Sequence, residues 1–231
     1  MILLLPIFVL INSLSNKVAI ISEHIALIIK QLVMENILDI NAGQSYLESE
    51  GRLNQSISDL TVAYFEKETN FAIQRTNIEK GYSILEEIQK ISWADIIIYH
   101  TPVWWFSVPN SFKKYLDDVI TKGKGKFYGS DGRSSKLNPK LNYGRSGLLS
   151  DKKYILTTTW NAPLEAFELE EEFFKGRSVD DGVMYGFHKM NEYIGMKNLF
   201  TYHFYDVNKN PRIEIDFLNY EELLNDNTSV K

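Results

Sequence analysis

Two rhythms of apolar residues run through the chain, one of strand type and one of helical type. Ala94–Thr101 holds Ile96, Ile97, Ile98 and Tyr99 without a polar break, the signature of a strand buried on both faces of a parallel sheet. Lys153–Thr159 (KYILTTT) repeats that character, and Asn36–Asn41, Asn70–Thr76 and Leu199–Tyr205 complete five predicted strands. Between them the spacing turns helical. Leu53, Ile57, Leu60, Ala63 and Tyr64 predict a helix over Arg52–Glu66, and Gly81–Ile91 a second. Val108, Phe112, Tyr115, Leu116 and Val119 predict a third, with Pro109 suited to its first turn. Val183–Ile194 and Ile213–Leu224 read as the last two. Strands alternating with helices give an α/β chain with a doubly wound, parallel, five-stranded sheet and helices on both faces.

Two stretches break this rhythm. Met1–Asn16 carries no charged residue and begins MILLLPIFVLI. It has the character of a secretory h-region without a positive n-region or a small-residue cleavage site, and it falls short of the ~20 apolar residues of a spanning helix. The first strand follows Met34, so residues 1–33 are expected to be an extension, or the product of an over-early start codon, and residues 34–231 the functional domain. The second stretch, Thr121–Ser150, is rich in Gly, Ser and Lys. Loops this long inside a domain are usually functional or disordered.

Composition narrows the function classes. With 44% hydrophobic residues in 231, one sizeable core is the natural expectation. The net charge of −5, without a basic block, argues against nucleic acid as a partner. The absence of cysteine excludes disulfides, thiolate metal sites and thiol catalysis. His24, His100, His188 and His203 are not at metal-ligand spacing, so no metal site is expected. Aromatics at 13% fit work on flat ligands or at interfaces.

Dinucleotide G-x-G-x-x-G, P-loop, kinase, metalloprotease and G-x-S-x-G signatures are all missing. What remains are loops at strand carboxyl ends, where open α/β sheets bind ligands. These are Gly43–Ser56, Pro102–Ser107 and Thr159–Pro163. Trp104, Trp105 and Phe106 cannot all face one core from a tight loop, so at least one faces solvent or a ligand. Ser49-Glu50-Gly51-Arg52-Leu53-Asn54-Gln55-Ser56 leads into a helix and reads either as a plain N-cap or as a phosphate cradle. His188, in FHKMNEY, reads as a core or interface residue, and Lys113, Lys114, Asp117 and Asp118 as i,i+4 pairs on a solvated helix face.

Together NILDINAG, SEGRLN, WADIIIYHTPVWWFSVPNSFKKYLDDV, YGSDGR, YGRSGLL, TTTWNAPLEAF and FHKMNEYIGM resemble the flavin-dependent NAD(P)H quinone reductases of the modulator-of-drug-activity-B family, within the flavodoxin-like superfamily. The pieces run in family order from about Met34 to Pro211. The resemblance implies a cytoplasmic homodimer that reduces quinones by two electrons through bound FAD, with NADPH or NADH as hydride donor; membrane contact is not expected, although the apolar N-terminal extension leaves it open. Its FAD would lie on Ser49, Glu50, Gly51, Arg52, Leu53, Asn54, Gln55 and Ser56 through the diphosphate and ribityl portion. Val103, Trp104, Trp105 and Phe106, with Thr159, Trp160, Asn161 and Ala162, would hold the flavin ring. Tyr143 would touch the flavin, from the same or the neighbouring subunit, and Tyr143 and His188 are the lesser candidates for the substrate site.

Two departures from the family pattern stand out: Asp39, where a small or apolar residue is usual, and Arg145-Ser146, where a second glycine is usual. The alternatives are an FMN-dependent reductase or electron carrier, and a flavodoxin-like domain that has lost its cofactor and serves in binding.

Overall fold

The computed structural model describes residues 34–47, 49–68, 70–133 and 139–228. The expected extension, residues 1–33, lies outside the described residues. Five strands form one sheet: β1 (Glu35–Asn41), β2 (Phe71–Asn77), β3 (Ile96–Pro102), β4 (Lys153–Thr159) and β5 (Lys197–Phe204), in the order β2-β1-β3-β4-β5. The β1–β3, β3–β4 and β4–β5 pairings are parallel. The chain steps to one side of β1 for β2 and to the other for β3, so the order reverses there. Such a switch point opens a crevice at the strands' carboxyl ends.

Among the described residues six α-helices accompany the sheet: α1 (Arg52–Lys67), α2 (Ile84–Trp93), α3 (Asn110–Lys122), α4 (Glu165–Glu168), α5 (Tyr185–Tyr193) and α6 (Ile213–Thr228). Strand residues alternate between the two faces. Leu38, Ile40, Ile97, Tyr99, Tyr154 and Leu156 pack with Ile88 and Ile91 of α2, Phe112, Tyr115 and Leu116 of α3, and Phe187 of α5. Ile37, Ile96, Ile98, Ile155 and Phe204 pack on the other face with Ile57 and Phe65 of α1 and Tyr220 and Leu224 of α6. Every residue of β3 is buried, as its unbroken apolar run requires.

The differences from expectation are local. Gly81 has φ +89 after a 3₁₀ turn at Ile78–Lys80, so α2 begins at Ile84 rather than Gly81 and runs on to Trp93. That delays β3 to Ile96. Pro109 occupies the N-cap of α3 with ψ 151, and the first turn starts at Asn110. The one-turn α4 is too short to leave a periodic signal. The long loop is better anchored than its composition suggests. Phe127 and Leu149 are buried in the chain's own core, and Gly123, which ends α3, leaves room for the Phe127 ring.

Both departures from the family pattern are accommodated. Asp39 is wholly buried yet accepts from Ser58 Oγ at 2.5 Å, meets His100 Nε2 at 2.9 Å and has Arg75 Nε at 3.5 Å. His100 Nδ1 lies 2.7 Å from Thr157 Oγ1, so a polar row crosses the sheet beneath α1. A buried carboxylate partnered in this way does not loosen the strand. At the second departure, the positive φ falls on Asn142 and Gly144, not on Arg145 or Ser146. Ser146 accepts the N–H of Ser130 at its side chain and that of Gly129 at its carbonyl, so no second glycine is needed.

Candidate functional site

A cleft of about 650 Å³ opens at the carboxyl ends of β1, β3 and β4. Ser49, Glu50, Gly51, Arg52, Leu53 and Asn54 line one side, Pro102, Val103 and Trp104 another, and Thr159 and Asn161 a third. The three loops singled out in the sequence therefore converge on one crevice.

The local backbone explains why α1 points its start at this space. Gly51, the N-cap residue, has φ +65, a conformation that costs a side chain strain. A Cβ there would also sit 3.2 Å from the Gln44 backbone nitrogen. Gly43 is closer still, since its Cβ would meet Asn54 Cβ at 2.8 Å. No side chain caps α1, and no acidic residue sits in its first turn. The helix thus presents unpaired N–H groups and the positive end of its dipole. Asn54 is only 3% exposed, and its Nδ2 has no hydrogen-bond partner among the described residues, while its Oδ1 accepts weakly from Thr159 Oγ1 at 3.3 Å. A buried amide donor without a partner is costly unless a ligand completes it. A diphosphate is such a ligand, so the donor set fits the nucleotide portion of a flavin.

Other residues named from sequence lie elsewhere. Gln55 turns away, accepting from Asn41 and Asn77 and donating to Asp59, and Ser56 is exposed on the helix. Trp160 places its indole in the core, with Nε1 donating to Thr158 Oγ1 at 2.7 Å and its backbone N–H to the Phe204 carbonyl. Ala162 packs against the same core, and its carbonyl accepts from Asp206. Trp105 and Phe106 are exposed, and Phe106 stacks on Phe173 at 5.6 Å. Tyr143 is 69% exposed and packs on Tyr193, the last residue of α5. That helix ends where β5 begins, so Tyr143 lies at the strands' amino ends, opposite its own chain's cleft.

His188 also misses the cleft. Its Nε2 lies 2.8 Å from Asp180 Oδ1 and its Nδ1 2.6 Å from the Tyr154 hydroxyl. An ionised carboxylate only accepts, so His188 Nε2 carries a proton toward it. Asp180 also accepts from Thr201 at 2.7 Å and faces His203 Nε2 at 3.3 Å. Burial would raise the Asp180 pKa, but the hydrogen bond from His188 and the nearby His203 outweigh it and hold the carboxyl well below the usual range. Burial pushes the Tyr154 phenol up to about 12, so it stays protonated. The cluster fastens the loop before α5 to edge strand β5.

Sequence reasoning missed Val207 and Asn208, which close the cleft from the loop after β5. The signal available was positional, since that loop is a further carboxyl-end loop of the sheet. Among the described residues no helix is long and apolar enough to cross a membrane, and no cluster suits a metal ion.

Comparison with known proteins follows this geometry. A family model for the flavodoxin-like fold matches residues 36–224. The NADPH:quinone oxidoreductase MdaB of Haemophilus influenzae is 42% identical over 80% of this chain and 95% of its own length. An uncharacterised Schizosaccharomyces pombe protein is 43% identical over 82% of this chain and 95% of its own. More distantly, an FMN-dependent NADH:quinone oxidoreductase of Macrococcus caseolyticus is 26% identical over 65% of this chain and 81% of its own. A Klebsiella pneumoniae crystal structure, provisionally assigned as a quinone reductase, shares the fold with a TM-score of 0.63 at 20% identity, over 84% of this chain and 83% of that one. The chain belongs to the flavodoxin-like family and, within it, to the group of the MdaB quinone oxidoreductase.

Proposed function

We propose that the protein is an NAD(P)H:quinone oxidoreductase that holds FAD in the cleft at the carboxyl ends of β1, β3 and β4. The observation that carries the reading is the uncapped start of α1 beside the unpartnered Asn54 Nδ2, two anion-binding features in one cleft. The flavin, when bound, supplies the hydride chemistry, taking two electrons from the nicotinamide and passing them to the quinone. The chain supplies binding, orientation and electrostatics. Gly51 to Asn54 hold the phosphates, and Trp104 and Val103 form the wall against which a flat ring is oriented. The Trp104 N–H is taken by Ser107 and that of Trp160 by Phe204, whereas those of Trp105, Phe106 and Asn161 make no backbone bond. Of these three, Asn161 lines the cleft, and its N–H is available to stabilise negative charge on a reduced ring.

NADPH, the donor named for the Haemophilus relative, is taken as the preferred donor, with NADH second. In this reading the enzyme works in the cytoplasm as a homodimer. Tyr143 lies at the wrong end of the sheet to serve its own cleft and would reach a flavin only across a subunit boundary.

The Macrococcus relative favours a second reading, FMN in the same cleft. FAD is preferred because the resemblance to the MdaB quinone reductases implies it, and the lining of the cleft extends beyond the start of α1 to Val207 and Asn208. The test is the visible spectrum of the purified protein, with expected absorption near ~450 nm, a band no side chain gives. Chromatography of the heat-released cofactor distinguishes FAD from FMN, and quinone-dependent consumption of NADPH tests the reaction. A colourless protein that takes up neither flavin would overturn the proposal and leave the cofactor-free binding domain.

A further inference from the structure

We infer that an apolar ledge beside the cofactor cleft makes the enzyme selective for quinones carrying an aliphatic tail. The inference rests on the quinone reductase reading and specifies its substrate. The ledge, about 560 Å³, is lined by Tyr46, Leu47, Ser49, Trp104 and Trp105. It shares Ser49 and Trp104 with the cleft, so a molecule whose ring lies against Trp104 can extend directly onto it. Tyr46 and Trp104 lie together, with ring centroids 5.8 Å apart.

Two tight turns build the ledge. Trp104 and Ser107 exchange both backbone hydrogen bonds, at 2.9 and 3.1 Å, around Trp105-Phe106. Tyr46 and Ser49 do the same, at 2.9 and 3.0 Å, in the loop before α1. Trp105 has φ +49, Phe106 φ +60 and Leu47 φ +51. Two-residue turns with positive φ normally use Asn, Asp or Gly, because larger side chains are strained there. Here Leu47 and Trp105 occupy such positions while 88% and 94% exposed. Strain and exposure of apolar surface are both unfavourable, and strained residues cluster at ligand clamps. A ligand that covers the two side chains relieves the second penalty.

The chemistry of the walls identifies the ligand. Among the described residues none of the five lining side chains carries a charge at neutral pH, so they offer an anionic group or a nucleotide phosphate no counter-charge. The polar groups among those side chains are the Ser49 and Tyr46 hydroxyls and the indole N–H groups of Trp104 and Trp105, isolated points on a mainly apolar surface. An alkyl or prenyl chain needs apolar surface alone.

The test compares a dimethoxy-methyl-benzoquinone without a tail with its decyl homologue, using the flavin-loaded protein. Each methylene buried should strengthen binding roughly fourfold, so partial burial of the tail predicts kcat/KM at least about tenfold higher for the decyl quinone. Leu47→Asn puts a residue that tolerates positive φ in place of the exposed leucine, so the variant should fold as well as the parent. It should keep its flavin and its kinetics on the tail-less quinone while losing most of the tail preference. Equilibrium binding of both quinones, followed by tryptophan fluorescence without NADPH, gives a readout independent of turnover. Equal affinity of the parent for the two quinones would overturn the inference, as would an unchanged tail preference in Leu47→Asn. Loss of flavin in that variant would assign the ledge to the cofactor, and a changed oligomeric state would assign it to a second copy; each also overturns the inference. If neither quinone is turned over while the tailed one still binds more tightly, the reductase reading fails and the ledge stands.

Discussion

Asp39 offers a stringent test of how the sheet beneath the cleft is held. Its carboxylate accepts from two wholly buried partners, His100 Nε2 at 2.9 Å and Ser58 Oγ at 2.5 Å, and faces the partly exposed Arg75 at 3.5 Å. Asp39→Leu removes the acceptor and strands both buried donors. Each unsatisfied buried group costs about 1–3 kcal/mol, and Arg75 can turn to water, so the expected loss is about 3–4 kcal/mol. That lies within the ~3–5 kcal/mol typical of breaking a buried pair from one side. With a urea m-value near ~3 kcal/mol/M, the midpoint should fall by about 1 M. Combining Asp39→Leu with His100→Leu replaces both partners by apolar groups, so the double variant should be more stable than the sum of the single losses allows, with a coupling of about 1–3 kcal/mol. Urea titrations followed by circular dichroism on the four proteins measure this. A single-variant loss below about 1 kcal/mol, or strictly additive losses, would refute the account of Asp39 as the hub of the row.

Three further outcomes follow from the structure. Asn54→Ala should weaken flavin binding by about 10- to 150-fold, the worth of one hydrogen bond to a charged group, in titrations of the apoprotein; an unchanged affinity would remove Asn54 from the phosphate cradle. The depressed Asp180 carboxyl has a folded pKa below the unfolded value of about 3.9, so its stabilisation is complete above about pH 4 and is lost as the pH falls through the folded value. The stability difference between the parent and Asp180→Asn should therefore shrink on acidification below pH 4, and a constant difference in acid denaturation would contradict it. Size-exclusion chromatography with light scattering should give twice the 26.8 kDa chain mass, and Tyr143→Ala should lower turnover while leaving the melting temperature unchanged; a fully active monomer would exclude a shared site.

The strands and long helices were legible because burial imposes a period on them. β3 and β4 are nearly all apolar or β-branched, and α1 and α3 repeat at helical spacing. The cleft was legible to the extent that it sits on carboxyl-end loops. What the sequence did not reveal was which single side chains of those segments face the cleft. Thr159 and Trp160 are neighbours in sequence, so they point to opposite faces, and only the threonine lines the cleft. Gln55 and Ser56 follow Asn54 on a helix, where each residue turns the side chain by about 100°, away from the ligand side. Val207 and Asn208 carry no compositional mark, and the fold alone brings them to the site.

The two tight turns at the ledge bear on attempts to engineer this chain. A search for stabilising substitutions, blind to activity, would propose Asn-Gly for Trp105-Phe106 and Asn for Leu47 among its first improvements. By backbone preference alone such a variant would melt later and fold more readily, and it would express well. It would also have lost the Leu47 and Trp105 side chains that line the ledge. Where the ledge holds the tail of a quinone as inferred above, a sequence better suited to folding at these turns is one less suited to holding a substrate, and thermostability alone would be a misleading criterion for selecting variants.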